Sequence, residues 1–151
     1  MQRRDFLRAV LDRVRADLPP ALGAFRAEPR NSIGKLWHGN RALHYECAIH
    51  LREGNLEVGL HFEADPLTNA RLLGRFRARE RGLRRRLGAG VRVEEWDRGW
   101  ARVWEAHPAA GLDEALCAEF AVRMACYVTV LEPILRAELP ADVSWRPASP
   151  R

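Results

Sequence analysis

A chain of 151 residues, 47% hydrophobic and 30% charged, is long enough to bury one core and too apolar to stay disordered. Its net charge of +5 and pI near 9.8 suit acidic partners. No apolar run approaches the ~20 residues of a bilayer-spanning helix. The charged start, Met1-Gln2-Arg3-Arg4-Asp5, lacks the apolar stretch of a signal peptide, so a cytoplasmic location with no membrane partner is expected.

Residues 2–18 carry Phe6, Val10, Val14 and Leu18 at every fourth position, with Leu7 and Leu11 beside them. This is the spacing of an amphipathic helix, and Pro19-Pro20 stops it. Residues 21–31, with Gly23, Pro29 and Asn31, read as a connector. Three strands are predicted over 32–38, 41–51 and 56–64, separated by the turn signals Gly39-Asn40 and Arg52-Glu53-Gly54-Asn55. Alternation sends Leu43, Tyr45, Cys47, Ile49 and Leu51 of the second strand inward, with Leu56, Val58, Leu60 and Phe62 of the third.

Asp65-Pro66 combines a good N-cap with a proline at the first helical position. The helix it opens is predicted to run to about Leu87, with Leu72, Leu73, Phe76, Leu83 and Leu87 inward and Gly88-Ala89-Gly90 ending it. A hairpin over 91–96 and 100–105 turns at Asp97-Arg98-Gly99 and buries Val91, Val93, Ala101 and Val103. The last helix starts near Asp113 and aligns Leu116, Phe120, Met124, Tyr127, Leu131 and Leu135; Pro133 is expected to kink or break it. Residues 140–151 hold three prolines and read as a loose C-terminal tail that Trp145 can tack down. The order αβββαββα predicts one α+β domain over 1–139, a five-stranded antiparallel sheet with helices packed on one face. Cys47, Cys117 and Cys126 form no CxxC pair and are read as small buried hydrophobes.

Several segments carry a resemblance: Ser32-Ile33-Gly34, Leu56-Glu57-Val58-Gly59-Leu60, Asn69, Leu72-Leu73, Leu87-Gly88, Val93-Glu94-Glu95-Trp96 and Pro133-Ile134. Together with the element order, they resemble a bacterial domain of unknown function found in proteins associated with restriction and nuclease systems. The topology is also similar to that of type III secretion chaperones, which are dimeric protein-binding modules. The first resemblance implies an accessory role near nucleic-acid enzymes. Neither supplies catalytic residues.

Nucleophilic chemistry finds little support. Ser32, Ser144, Ser149, Thr68 and Thr129 lie in no nucleophile elbow, and no glycine loop suits a phosphate. Lys35 follows Ile33-Gly34, so the carboxylate-x-Lys pair of restriction-type nucleases is missing, and alternation buries Cys47. No catalytic residue and no cofactor are therefore assigned.

Three constellations remain. His44-Tyr45-Glu46 and His61-Phe62-Glu63 repeat one pattern on neighbouring strands. If residue 51 faces 56, Glu46 opposes His61, His44 opposes Glu63 and His50 opposes Glu57, with Lys35 near His44. A solvated ion-pair ladder and a zinc site built from His44, Glu46, His61 and Glu63 both fit; the divergence of side chains from a flat sheet favours the metal-free ladder. The helix over 66–87 carries Arg71, Arg75, Arg77, Arg79, Arg81, Arg84, Arg85 and Arg86 against Glu80. Arg71, Arg75, Arg79 and Arg86 could track nucleic-acid phosphates. Lys35 is the only lysine among 25 Lys and Arg residues, so this richness also fits GC-rich coding. Finally, Trp96, Trp100 and Trp104 share the outer face of the second hairpin with Arg92 and Arg102, and Trp37 points the same way. Arg92 is expected to stack on Trp104 and Arg102 to pair with Glu94. Such a surface suits a partner, so a non-catalytic binding or assembly module is favoured, homodimeric or joined to another protein through Trp37, Arg92, Trp96, Trp100, Arg102 and Trp104. The alternatives are a nucleic-acid-binding accessory protein and a metal-dependent enzyme.

Overall fold

Helix α1 (Arg3–Asp17) buries Phe6, Leu7, Val10, Leu11 and Val14, the stripe its spacing predicts. The computed structural model describes residues 1–148. After α1 the presumed connector is structured instead: Pro20–Gly23 forms the short helix α2 and Arg26–Arg30 the strand β1. Strands β2 (Ile33–Trp37), β3 (Leu43–His50) and β4 (Asn55–Phe62) follow. Helices α3 (Pro66–Arg77) and α4 (Glu80–Leu87), strands β5 (Arg92–Glu95) and β6 (Ala101–Pro108), and helix α5 (Glu114–Glu138) complete the order. The sheet has six strands, not five, in the order β1-β2-β3-β4-β6-β5, and every neighbouring pair is antiparallel. The extra strand escapes sequence reading because Arg-Ala-Glu-Pro-Arg shows no apolar alternation; as an edge strand it accommodates Pro29.

The helices cover the face that carries Leu36, Tyr45, Cys47, Val58, Leu60, Phe62 and Val103, all completely buried. At Gly34 an added methyl would meet the Leu7 side chain at 3.3 Å, which shows how closely α1 lies on β2. Helix α3 packs on β4, β5 and β6, while α4 turns away to pack on α5. The expected single helix is therefore broken at Ala78-Arg79: between Phe76 and Leu83 no large apolar side chain ties the turn to the core. Conversely, α5 runs through Pro133 without interruption. Pro133 and Thr129, whose carbonyl loses its amide partner, both face solvent, where water can serve that carbonyl.

The β3–β4 register also departs from expectation. A 3₁₀ turn over Leu51–Glu53, closed by Gly54 at φ +76°, pairs His50 with Asn55, so His44 lies opposite His61 and Glu46 opposite Gly59. The shift is two residues, which preserves the face each side chain occupies. Lys35 pairs with Glu46 rather than standing next to His44. The second hairpin has the expected register, with Arg92 opposite Trp104 and Glu94 opposite Arg102.

The stretch expected as a loose tail is held over its described part, 140–148. Arg146 N and Ala148 N donate to the carbonyls of Gly39 and His38 at 2.7 and 3.0 Å, Asn40 Nδ2 donates to Ser144 O at 3.0 Å, and the Trp145 indole lies directly on Gly39. Residues 149–151 lie outside the described residues. Cys47 and Cys117 are buried as expected, but Cys126 is exposed. Among the described residues no helix is long and apolar enough to cross a membrane.

Candidate metal centre

Even-numbered side chains of β3 and odd-numbered ones of β4 project from the face opposite the helices. There His44 and His61 stack directly across the strand pair, centroids 5.6 Å apart and planes 13° from parallel. Glu46, facing a glycine across the ladder, folds its carboxylate back over both rings. Its Oε1 lies 2.8 Å from His44 Nε2, and its Oε2 lies 3.5 Å from His61 Nε2. Glu63 closes the ring of groups, with Oε2 3.1 Å from His61 Nδ1 and 3.7 Å from His44 Nε2. One ligand atom from each of the four residues lies within 4.8 Å of all the others. The side chains converge, contrary to the divergence expected of a flat sheet, because the two glutamates are long enough to turn their heads inward over the stacked imidazoles.

The donor–acceptor pattern restricts what holds this cluster together. His44 Nδ1 is 2.8 Å from the Arg41 carbonyl, which can only accept, so Nδ1 carries the hydrogen. In a neutral ring Nε2 then presents a lone pair to a carboxylate oxygen 2.8 Å away. A proton or a metal cation must lie between them. His61 meets a carboxylate at each ring nitrogen. Two protonated imidazoles would balance the two carboxylates, and so would one divalent cation between neutral rings. His44, Glu46 and His61 are 1%, 6% and 4% exposed, so an unbalanced charge would be costly here. Burial alone pushes the Glu46 carboxyl up, but the hydrogen bond with His44 and the charges of His61, His44 and Lys35 outweigh it and hold its pKa at about 2.

The tryptophan and arginine residues expected to meet a partner form the flank of this cluster. Arg102 lies between two indoles, its guanidinium carbon 4.3 Å from the Trp96 ring and 3.7 Å from the Trp104 ring. It pairs with Glu57 at 3.1 Å rather than with Glu94, which accepts from Trp104 Nε1 at 2.8 Å. Arg92 stacks on Trp104 as expected, at 5.2 Å. Trp96 turns its edge to His61 at 5.5 Å and also meets Trp100. Trp104 and Arg102 are only 7% and 9% exposed within the single chain, while Trp96 keeps 37%. On the other flank Trp37 is half-buried under Arg41. Trp145 packs on Gly39.

The arginine-rich region is half engaged: Arg71, Arg75, Arg79 and Arg84 have acidic or carbonyl partners, while Arg77, Arg81, Arg85 and Arg86 are exposed. Arg71 holds Asp142 at 2.9 Å, Arg79 holds Glu138 at 2.8 Å, and Arg75 donates to the Glu138 carbonyl. Arg86 is exposed on α4. Sequence reading misses a second polar cluster on the core side. Tyr45 donates to Glu132 at 3.0 Å, Arg136 Nε reaches the same carboxylate at 2.9 Å, and His38 Nδ1 stands 3.4 Å from it. The available signal was Glu132 itself, four residues after Val128 and three before Leu135 on the buried stripe. Comparison with protein-family models, with curated proteins and with solved structures finds no match for this chain.

Proposed function

We propose that the domain is a divalent-metal-binding module whose ligands are His44, Glu46, His61 and Glu63, with zinc as the representative ion. The observation that carries this reading is the convergence of four ligand atoms within 4.8 Å of one another, three from buried residues and one from the half-buried Glu63. The four close nitrogen–oxygen distances run from 2.8 to 3.7 Å. They involve both ring nitrogens of His61 and both oxygens of Glu46, so a bound zinc would draw one atom of each residue onto the ~3.4 Å edges of its tetrahedral shell. Two imidazoles with two carboxylates suit zinc and its first-row neighbours better than magnesium or calcium, which prefer all-oxygen sites. The Arg41 carbonyl supports the same reading: it fixes the His44 tautomer with Nε2 free to ligate, the outer hydrogen bond usual behind a metal-bound histidine.

The metal-free ladder rested on diverging side chains and on its extension through His50 and Glu57; convergence removes the first support, while His50 Nε2 lies 3.6 Å from Glu57 Oε1, outside the cluster. Self-association through the tryptophan face is less favoured because Trp104 and Arg102 are already buried against their own chain. Phosphate tracking by Arg71, Arg75 and Arg79 competes with their contacts to Asp142 and Glu138.

The test is metal content after zinc loading and exhaustive dialysis. About one zinc per chain is expected, lost in His44→Ala and in His61→Ala and kept in His50→Ala, which changes a neighbouring histidine outside the cluster. Wild type that retains no zinc, or retention indifferent to His44→Ala and His61→Ala, overturns the proposal.

A further inference from the structure

Beside the metal cluster, on the same sheet face, a pocket of about 280 Å³ opens at the β1–β2 edge, lined by Glu28, Arg30, Asn31, Ser32, Lys35 and Arg41 around the apolar Ile33. Its charge is lopsided: three cations face one carboxylate, and Arg41 takes that carboxylate by pairing with Glu28. Among the described residues Arg30 has no acidic partner and stands exposed. The closest carboxylate oxygen to Lys35 Nζ belongs to Glu46, 3.9 Å away, too far for a hydrogen bond. Two cations thus enter the pocket without a short acceptor. Asn31, held at φ +56° in the turn between the strands, and Ser32 add polar groups at its wall. Lys35 is the link between the two features, lining the pocket while leaning on a metal ligand.

We propose that this pocket is an anion subsite, taking the phosphate group of a small phosphomonoester next to the bound metal. The proposal rests on the metal reading for its neighbour and names the class of ligand the site receives. The charge surplus of the lining matches a dianion rather than a single carboxylate. The volume is near the lower end of small-molecule pockets, which suits a compact phosphomonoester rather than a polymer. A metal on Glu46 would also turn that carboxylate's charge away from Lys35 and leave the ammonium to the anion. Lys35 and Arg30 supply charge-assisted hydrogen bonds of the kind that hold phosphate.

Calorimetric titration of the zinc-loaded protein with inorganic phosphate, and separately with acetate, provides the test. One phosphate per chain is expected, with acetate bound more weakly. Arg30→Ala and Lys35→Ala should each weaken phosphate about tenfold. Arg30→Ala should leave the zinc content unchanged, and circular dichroism confirms that the fold is kept. Equal phosphate affinity in wild type, Arg30→Ala and Lys35→Ala overturns the subsite, as does acetate binding as tightly as phosphate. If phosphate binding depends on Arg30 in a protein that never retains zinc, the subsite stands and the metal reading falls. If zinc is retained while phosphate is indifferent to both variants, only the subsite falls.

Discussion

Neighbouring residues of β3 serve opposite sides of the sheet. His44 and Glu46 face the histidine–glutamate cluster, while Tyr45 between them reaches into the core toward Glu132, which is 1% exposed. His38 joins this inner cluster from the turn after β2, its Nε2 donating to the Leu22 carbonyl at 2.8 Å. Burial pushes its pKa below the ordinary imidazole value; Glu132 and the Leu22 hydrogen bond pull the other way without restoring it, and Arg136 and Arg15 add to the lowering. Tyr45, packed edge-on with the His38 ring, is itself pushed well above its ordinary value by burial and the neighbouring Glu132, and stays neutral. A base depressed in the folded state takes up its proton more readily when unfolded. His38 therefore contributes stability that is fully present above the ordinary imidazole pKa and is lost as the pH falls through it toward the folded value. Urea unfolding followed from about pH 8 to about pH 5 should show this decline, and His38→Gln should flatten it. An identical slope in wild type and variant would place the titration elsewhere. At this scale sequence alone singled out His44, Glu46, His61 and Glu63, because the repeated His-aromatic-Glu triplet shows without a fold. Their convergence was not legible: it depends on a turn that shifts the register by two and on glutamates that fold back rather than project.

Among the elements, β4 and β6 lie close enough at Gly59 to leave no room for a side chain. A Cβ at Gly59 would lie 2.6 Å from Trp104 Cβ and 2.7 Å from the Val103 carbonyl, neither of which is the far end of a flexible chain. Gly59→Ala should therefore force the strands apart and cost about 1–3 kcal/mol. Thermal unfolding would register the loss, and tryptophan fluorescence should shift with it, since Trp104, Arg102 and Trp96 form one stack reaching His61. A variant melting with wild type would show that this approach is looser than it looks. Helix α1 and strands β3 and β4 were readable because their apolar periods of roughly four and two are uninterrupted, whereas β6 runs three residues past its expected end at 105, where Glu105 and His107 break the apolar period. Where the chain departs from periodicity, local rules misled. Pro29 hid an edge strand, a run of arginines hid the break between α3 and α4, and Pro133 announced a kink that a solvent-facing carbonyl makes unnecessary.

For the molecule as a whole, the segment after α5 acts as a clasp. It lays Trp145 on the 38–40 turn and sends Asp142 to Arg71. An added methyl at Gly39 would fall within the indole itself. Gly39→Ala should unseat Trp145 and expose the clasp, so limited chymotrypsin digestion should cut after Trp145 far sooner than in wild type. Unchanged digestion would mean the contact at Gly39 does not hold the segment. The sheet has a further molecular consequence at its two margins. β1 brings Arg26, Glu28, Pro29 and Arg30 to one edge, and β5 offers only the four residues Arg92–Glu95 at the other. A newcomer strand would meet a missing amide and a row of charges on the first margin, and a rung too short to hold it on the second. The antiparallel ribbon therefore ends with itself: crowded copies find no template along which to stack into fibres.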